Sequence, residues 1–294
     1  MSIKGLVRAA AIFFTIFLLS GCRQLLNADI GSAVPAQAEE QYTKNIHYEV
    51  TDLDRKTDCS DIVEISINNL ADNEISAENY TYRDGCLTIN RGGCYFLMGR
   101  ADNCRIVIKA FDDEIVHLIL SDIELHAEAG PVLYGEQACK VIVTLPDDTE
   151  NLIYDSAEYA SDMEACIFCN CDLTINGSGS LNVYGYYHDA VRSKDRIKVI
   201  GTNLFIRAKN DGIRGNDGVV IEESSVEVES EGTGILAKNA QAYIAVQGGK
   251  LKVTSGRNAI YANGCVSLKE CVRDLYSIKE AIKSNEVIDE GGTK

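Results

Sequence analysis

The sequence predicts a right-handed parallel β-helix, and three observations carry that prediction. No amphipathic 3.6-residue pattern runs from Tyr48 to about Val272; short apolar alternations stand there instead, separated by Asp, Asn and Gly. Ile167, Val191, Ile213, Ile235 and Ile260 recur at spacings of 24, 22, 22 and 25 residues. In most units an apolar pair follows six and eight residues later: Leu173 and Ile175, Ile197 and Val199, Val219 and Ile221, Val266 and Leu268. A further apolar residue follows after 13 to 16: Leu181, Leu204, Val226 or Leu251. Three short strands per turn, each paired with its equivalent in the next turn, define a solenoid. The crossover rule for parallel strands makes it right-handed.

The elements follow in chain order. In residues 1–21, Lys4 and Arg8 precede the apolar run Ala9 to Leu19, which is too short to span a bilayer comfortably. Leu19-Ser20-Gly21-Cys22 closes the run and resembles the bacterial lipobox, which implies lipidation of Cys22 and a membrane-anchored lipoprotein at the cell surface. Residues 22–47 hold Ala, Gln, Ser and Pro without periodicity and read as a flexible tether. The β-helix is expected over 48–272. Between Tyr134 and Phe168 the spacing is 34, one coil plus about ten residues, so Leu145 to Asp155 is expected to leave the helix as a loop, with Pro146 ending its strand. In residues 273–294, Leu275, Ile278 and Ile282 amid Lys and Glu predict a short helix that caps the open end.

Composition narrows the function. The 294 residues are 46% apolar, enough to exclude wholesale disorder, and carry 44 acidic against 28 basic side chains. The net charge of −16 becomes −18 once residues 1–21, with two positive charges and no acids, are removed. Such a chain repels phosphate backbones, so nucleic acid is a poor partner, and membrane contact is expected through the lipid alone.

Repetition makes columns. A small-residue column, Cys166, Ala190, Gly212, Gly234 and Ala259, precedes the Ile column where a tight bend excludes bulk. Before it come Ala165, Asp189, Asp211, Thr233 and Asn258. After it, Tyr134, Phe168, Arg192, Arg214, Leu236 and Tyr261 turn outward by strand alternation. Further on stand Asn170, Lys194, Asn216, Lys238 and Asn263, and then Cys171, Asp195, Asp217, Asn239 and Gly264.

The segments Thr144-Leu-Pro-Asp-Asp-Thr-Glu-Asn151, Cys171 to Leu181 and Lys209-Asn-Asp-Gly-Ile-Arg-Gly-Asn-Asp217 resemble a bacterial carbohydrate-binding domain family. The likeness covers roughly Tyr80 to Leu268. It implies a secreted, calcium-holding right-handed β-helix, like polysaccharide lyases in architecture, with Asp189, Asp195, Asp211 and Asp217 at the calcium-lining positions. Thr233, Asn239, Asn258, Gly264 and Cys171 depart from that pattern, so any calcium ladder is expected to be short.

The residues themselves leave alternatives open. Stacking Asp189 over Asp211 and Asp195 over Asp217 sets like charges about 5 Å apart, which a hard cation drawing on Asn210 and Asn216 would relieve. Asp and Asn also suit solenoid bends with no metal at all. Tyr184, Tyr186 and Tyr187 border His188-Asp189 and offer flat faces to sugar rings, while Arg192, Lys194 and Arg214 offer charge to acidic ones. His188 reads as a surface residue. After Cys22 ten Cys are left; Cys139 aligns with Leu173 and is expected in the core, and Cys86 with Cys94, or Cys265 with Cys271, are candidate pairs. The favoured function is non-catalytic polysaccharide binding, acidic glycans included, with calcium assistance. A calcium-dependent pectate-type lyase and a structural or adhesive display solenoid are the competing readings.

Overall fold

In the computed structural model, residues 48–70, 74–159 and 162–292 are described; the lipobox with Cys22 and the tether 22–47 lie outside them. The chain forms the expected parallel β-solenoid, of about eight turns. Each full turn lays down three strands in three lanes, as in Asp189–Ser193 (bend lane), Arg196–Ile200 (middle lane) and Asn203–Ala208 (return lane). The next turn repeats them with Ile213–Gly215, Gly218–Glu222 and Ser225–Ser230. Every pairing between these turns is parallel, and the register matches Ile167 to Val191, Val191 to Ile213, Ile213 to Ile235 and Ile235 to Ile260. In the first turns the middle and return lanes are fused. Gly93–Ala101 and Ile115–Ala127 run through both, with Asp122 in the left-handed region (φ 52°) at the corner of the second.

The inward columns make one continuous core. Ile167, Val191, Ile213, Ile235 and Ile260 are buried, as are the middle-lane and return-lane apolar residues that the repeat predicts. Each such side chain contributes roughly 1.5–3 kcal/mol by leaving water. The small column obeys its steric reason: a Cβ on Gly212 would stand 2.3 Å from Val228 Cγ1, and one on Gly234 2.2 Å from Val253 Cγ1. At the N-terminal end, the antiparallel hairpin of Tyr80–Arg83 and Cys86–Ile89 closes the stack.

Four expectations are corrected. The capping helix expected over 273–294 is absent from the described residues 273–292. Val272–Ser277, Ile282–Lys283 and Glu286–Glu290 add another turn, because the preceding coil presents unpaired backbone groups that a helix could not satisfy. Among its inward positions Leu275 and Ile282 continue the core, but Arg273 pairs with Leu251 and Asp289 with Leu268, and those two side chains form an ion pair at 2.6 Å, so charge enters the core at this end. The stretch Leu145 to Asp155 does not leave the solenoid. Pro146 ends its strand, but the chain turns at once into Glu150–Asp155, which is paired on both sides. The extra residues are 156–164, nine where the next turn uses only 186–188.

Third, residues 48–59 are not a coil but a strap across the outside of the middle lane. Its four-residue helix, Asp52–Arg55, is capped by Thr51. Tyr48 donates to Gln247 Oε1 (2.9 Å), Arg55 pairs with Glu222, Asn176 donates to the carbonyl oxygens of Asp54 (2.8 Å) and Lys56 (3.0 Å), and a Cys59–Cys94 disulfide fastens the far end. At its centre the fully buried Asp54 carboxylate accepts from Lys140, from Lys198 (2.7 Å) and from Thr174 (2.8 Å). Burial alone would raise its pKa, but the hydrogen bonds from Lys140, Lys198 and Thr51 hold it well below the usual carboxylate range. Fourth, Val141 rather than Cys139 aligns with Leu173, and Cys139 is exposed. Cys94 pairs with Cys59, leaving Cys86 a free thiol.

Candidate functional site

On the return lane, strand alternation turns His126, Tyr154, Tyr184 and Arg207 outward in one column. The His126 and Tyr154 rings stack with centroids 4.7 Å apart and 12° between planes. Tyr184 stacks on Tyr186 at 5.8 Å and 10°, and meets the Phe205 edge at 6.0 Å. Tyr186 is 45% exposed and the other tyrosines and Phe205 are half-buried, so flat amphipathic faces are open to solvent over successive coils. Sequence reasoning found Tyr184 and Tyr186 but missed His126, Tyr154 and Phe205. Treating Glu150–Asp155 as a loop hid the register that puts Tyr154 beside Tyr184.

His126 also lies between Asp102 (Nδ1 to Oδ1, 3.1 Å) and Ser156 (Nε2 to Oγ, 3.0 Å). That order of groups is the one that activates a serine in acyl transfer. Here the Asp102 side chain is 88% exposed, so water competes for its hydrogen bond, and the Ser156 N–H is committed to the Ala127 carbonyl (3.0 Å). The trio orients the imidazole as a polar edge of the aromatic platform.

At the corner between return and bend lanes, the buried Asp155 accepts from the backbone N–H of Tyr186 (2.7 Å) and Tyr187 (3.3 Å) and from the Tyr159 hydroxyl (2.9 Å). Burial pushes its pKa up to about 6 against the opposing pull of those donors. Tyr187 packs on Tyr159 at 4.0 Å, so of the three expected tyrosines it belongs to the corner and not to the platform. His188 is part-exposed, with Nδ1 3.0 Å from Asp189 Oδ1.

The bend-lane column is confirmed by register: Tyr134, Phe168, Arg192, Arg214, Leu236 and Tyr261, extended by Lys283. It points away from the core, yet Phe168 and Arg214 are covered. Arg192 Cζ lies over the Phe168 ring at 5.4 Å while its NH1 is 3.2 Å from Glu164, and Lys194 Nζ lies over the same ring at 5.8 Å. The side chains fold onto one another instead of standing into solvent.

The four aspartates separate into two pairs. Asp189 Oδ1 accepts from Asp211 N (3.0 Å) and Asn210 Nδ2 (2.7 Å), and Asp211 Oδ1 accepts from Thr233 N (2.8 Å), so each buried carboxylate caps the backbone of the following coil. Arg214 NH1 stands 3.7 Å from Asp189 and 4.0 Å from Asp211. That guanidinium supplies the compensation expected of a cation, and a group of six to eight oxygens at 2.3–2.6 Å does not fit around it. Asp195 and Asp217 are different. Asp195 is half-buried and Asp217 exposed, neither is ion-paired among the described residues although Asp217 accepts from Asn239 Nδ2, and Asn216 Oδ1 beside them is buried without a donor. Burial, then Asp172 and Asp217, raise the Asp195 pKa. Those oxygens suit a hard cation, although among the described residues only Cys59, Cys94 and His117 bring three metal-capable atoms within 4.8 Å, and two of these are joined as a disulfide.

The fold is a parallel β-helix with a ring-lined flank, and comparison with known proteins gives its class. A family model described as carbohydrate-binding domain-containing protein matches residues 83–293, and the chain belongs to that family. A relative from Acetivibrio thermocellus with the same description is 24% identical over 214 residues, covering 71% of this chain and 66% of the relative. The chain thus spans just under two thirds of that relative's length. A solved structure described as the polysaccharide lyase-like protein from C. thermocellum, a gadolinium derivative, superposes with a TM-score of 0.72 at 20% identity. It covers 79% of this chain and 99% of its own, a likeness of fold.

Proposed function

We propose that this chain binds polysaccharide without cleaving it, along the return-lane platform of His126, Tyr154, Tyr184, Tyr186 and Phe205. The observation that carries the reading is the row of near-parallel rings, His126 on Tyr154 and Tyr184 on Tyr186, repeated along the solenoid axis. Rings of this kind match the apolar faces of pyranoses, and a row of modest contacts favours a long polymer through avidity. Arg192 and Arg214, the arginines nearest the acidic corner, are engaged by Glu164 and by Asp189, which suits a positioning role and not that of a free base. A glycan array with the wild type and with Tyr184→Ala and Tyr186→Ala tests the reading. Each substitution should weaken polysaccharide binding roughly 2- to 10-fold, since a ring contact is worth about 0.5–1.5 kcal/mol. Wild-type binding that neither substitution reduces would remove the platform from the reading, and release of unsaturated uronides would favour the lyase.

Two parts of the proposal rest on chemistry alone. Calcium enters at Asp195, Asp217 and Asn216, where it would neutralise crowded carboxylates. The protein should then melt higher in calcium than in chelator, with the difference lost in Asp217→Asn. Lipidation at Cys22 would hold the chain at the cell surface, and Cys22→Ala should then leave the detergent phase on partitioning.

A further inference from the structure

The far end of the bend lane has a different character from its middle. A cleft of about 430 Å³ opens there, floored by Arg214 and walled by Lys238, Arg257, Tyr261, Lys279 and Lys283. Backbone hydrogen bonds fix its shape. Arg257 N donates to Gly232 O (2.9 Å) and Lys279 N to Arg257 O (3.0 Å), which stacks Arg257 and Lys279 on successive coils at one corner. Lys238 stands past the other end of the strand Ile235–Ala237, only three residues or roughly 10 Å long. Between them Tyr261 carries Lys283 over its ring at 5.0 Å. Asp211 also lines the cleft, its Oδ1 so near Gly232 that a Cβ there would meet it at 2.6 Å.

The charges in this cleft run against the rest of the molecule. The chain is strongly acidic, and most of its Lys and Arg side chains among the described residues sit in ion pairs with Asp or Glu. Lys238, Arg257, Lys279 and Lys283 form no ion pair among the described residues, and all four converge here. Cations held one coil apart repel each other, and a single lining carboxylate, the buried Asp211 already shared with Arg214, opposes five of them. Beneath them Arg214 is 9% exposed, and its Nε is buried with no acceptor, a group whose desolvation is otherwise uncompensated.

We propose that this cleft binds the anionic groups of a glycan, with Arg257, Lys238 and Lys279 contacting successive charges on the polymer and Tyr261 offering a ring edge between them. The inference rests on the polysaccharide reading and deepens it by naming the substrate class, carboxylate- or sulfate-bearing sugars. It also moves charge recognition away from Arg192 and Arg214, where the sequence places it, to side chains free to provide it.

The test is calorimetric titration of the purified protein with polygalacturonate, its carboxyl-reduced neutral counterpart, a sulfated polysaccharide and poly-glutamate. Polygalacturonate or the sulfated polymer should bind at least about tenfold more tightly than the neutral polymer, and that advantage should shrink with added salt. Which of the two binds better identifies the anion. The variant Lys238→Glu/Arg257→Glu/Lys279→Glu alters exposed side chains only, so its melting temperature should hold. It should lose about tenfold or more toward the anionic polymer while keeping its affinity for the neutral one. Equal binding of charged and neutral glycans, or unchanged affinity in the variant, overturns the inference and leaves the polysaccharide reading standing. Equal binding of poly-glutamate and polyuronate shows a mere electrostatic patch and overturns it as well. If no glycan binds at all, the polysaccharide reading fails and takes the inference with it.

Discussion

On the middle lane, Lys140 and Lys198 share the Asp54 carboxylate beneath the strap and are almost sealed from water. On the bend lane, Lys238, Arg257, Lys279 and Lys283 face an open cleft whose one lining carboxylate, the buried Asp211, is already shared with Arg214. All of these side chains project outward from the same solenoid, so strand alternation does not distinguish them. What differs is whether a segment of the chain passes overhead. The strap brings a counter-charge to the first group and makes it part of the fold. Over the second group no described segment passes, and its charge is left for a molecule from outside.

The largest expected effect lies at the sealed group. Replacing Asp54 by Ala leaves two nearly buried ammonium groups without their anion, a change that costs about 3–5 kcal/mol in comparable pairs. Lys238→Ala, by contrast, should stay within about 0.5 kcal/mol, because the side chain is exposed and unpaired. Denaturant melts of the two variants decide this. Similar midpoints would mean that the strap lies on the solenoid without holding it.

The sequence made the repeat legible because burial imposes it. The Ile column, the apolar pairs and the small bend residues must recur at one spacing for parallel strands to stack, and the register follows that spacing at Val191, Ile213 and Ile235. The strap left no such trace. Asp54 meets Lys140, Thr174 and Lys198 across 86 to 144 residues, and a single carboxylate with two lysines has no period. The helix expected after Val272 failed for a related reason: Leu275, Ile278 and Ile282 fit a helical stripe, but the open edge of the previous coil decides the matter. At the candidate site, column order put Arg192 and Arg214 outward correctly. It could not show that Phe168, Glu164 and Asp189 would fold over them.

A middle-sized effect concerns pH, where two buried carboxylates act in opposite senses. Asp54 has a folded-state pKa below its unfolded value, so its stabilisation is present above about pH 4 and is lost as the pH falls through the folded-state pKa. Asp155 is raised to about 6, so its folded form holds a proton that the unfolded chain releases, and stability declines as pH rises from about 4 to about 6. The Asp155 contribution is of order 1–3 kcal/mol. Asp155→Asn should therefore flatten the upper part of the stability profile and leave the acid limb to Asp54. Because Asp155 also holds the Tyr186 and Tyr187 N–H groups, glycan affinity in the wild type should change over the same interval. A stability profile of Asp155→Asn that matches the wild type between pH 4 and 6 would refute the assignment.

The smallest expected change in stability is also the most direct way to turn one group into the other. Leu236 is half-buried in the outward column between Arg214 and Tyr261 and lines the cleft. Leu236→Glu would place a carboxylate among Lys238, Arg257 and Lys279, an internal substitute for what Asp54 provides beneath the strap. Ion pairs this exposed contribute about 0–1 kcal/mol, and the loss of a half-buried leucine offsets part of that, so the melting temperature should barely move. Affinity for an anionic polymer should nevertheless fall, because the cleft would already hold a negative group. Affinity for a neutral polymer on the His126–Tyr186 platform should not. Calorimetry beside a melting curve separates these outcomes. Anionic binding that survives Leu236→Glu would mean that the unpaired cations are a solvated face, and that the contrast with Asp54 carries no functional meaning.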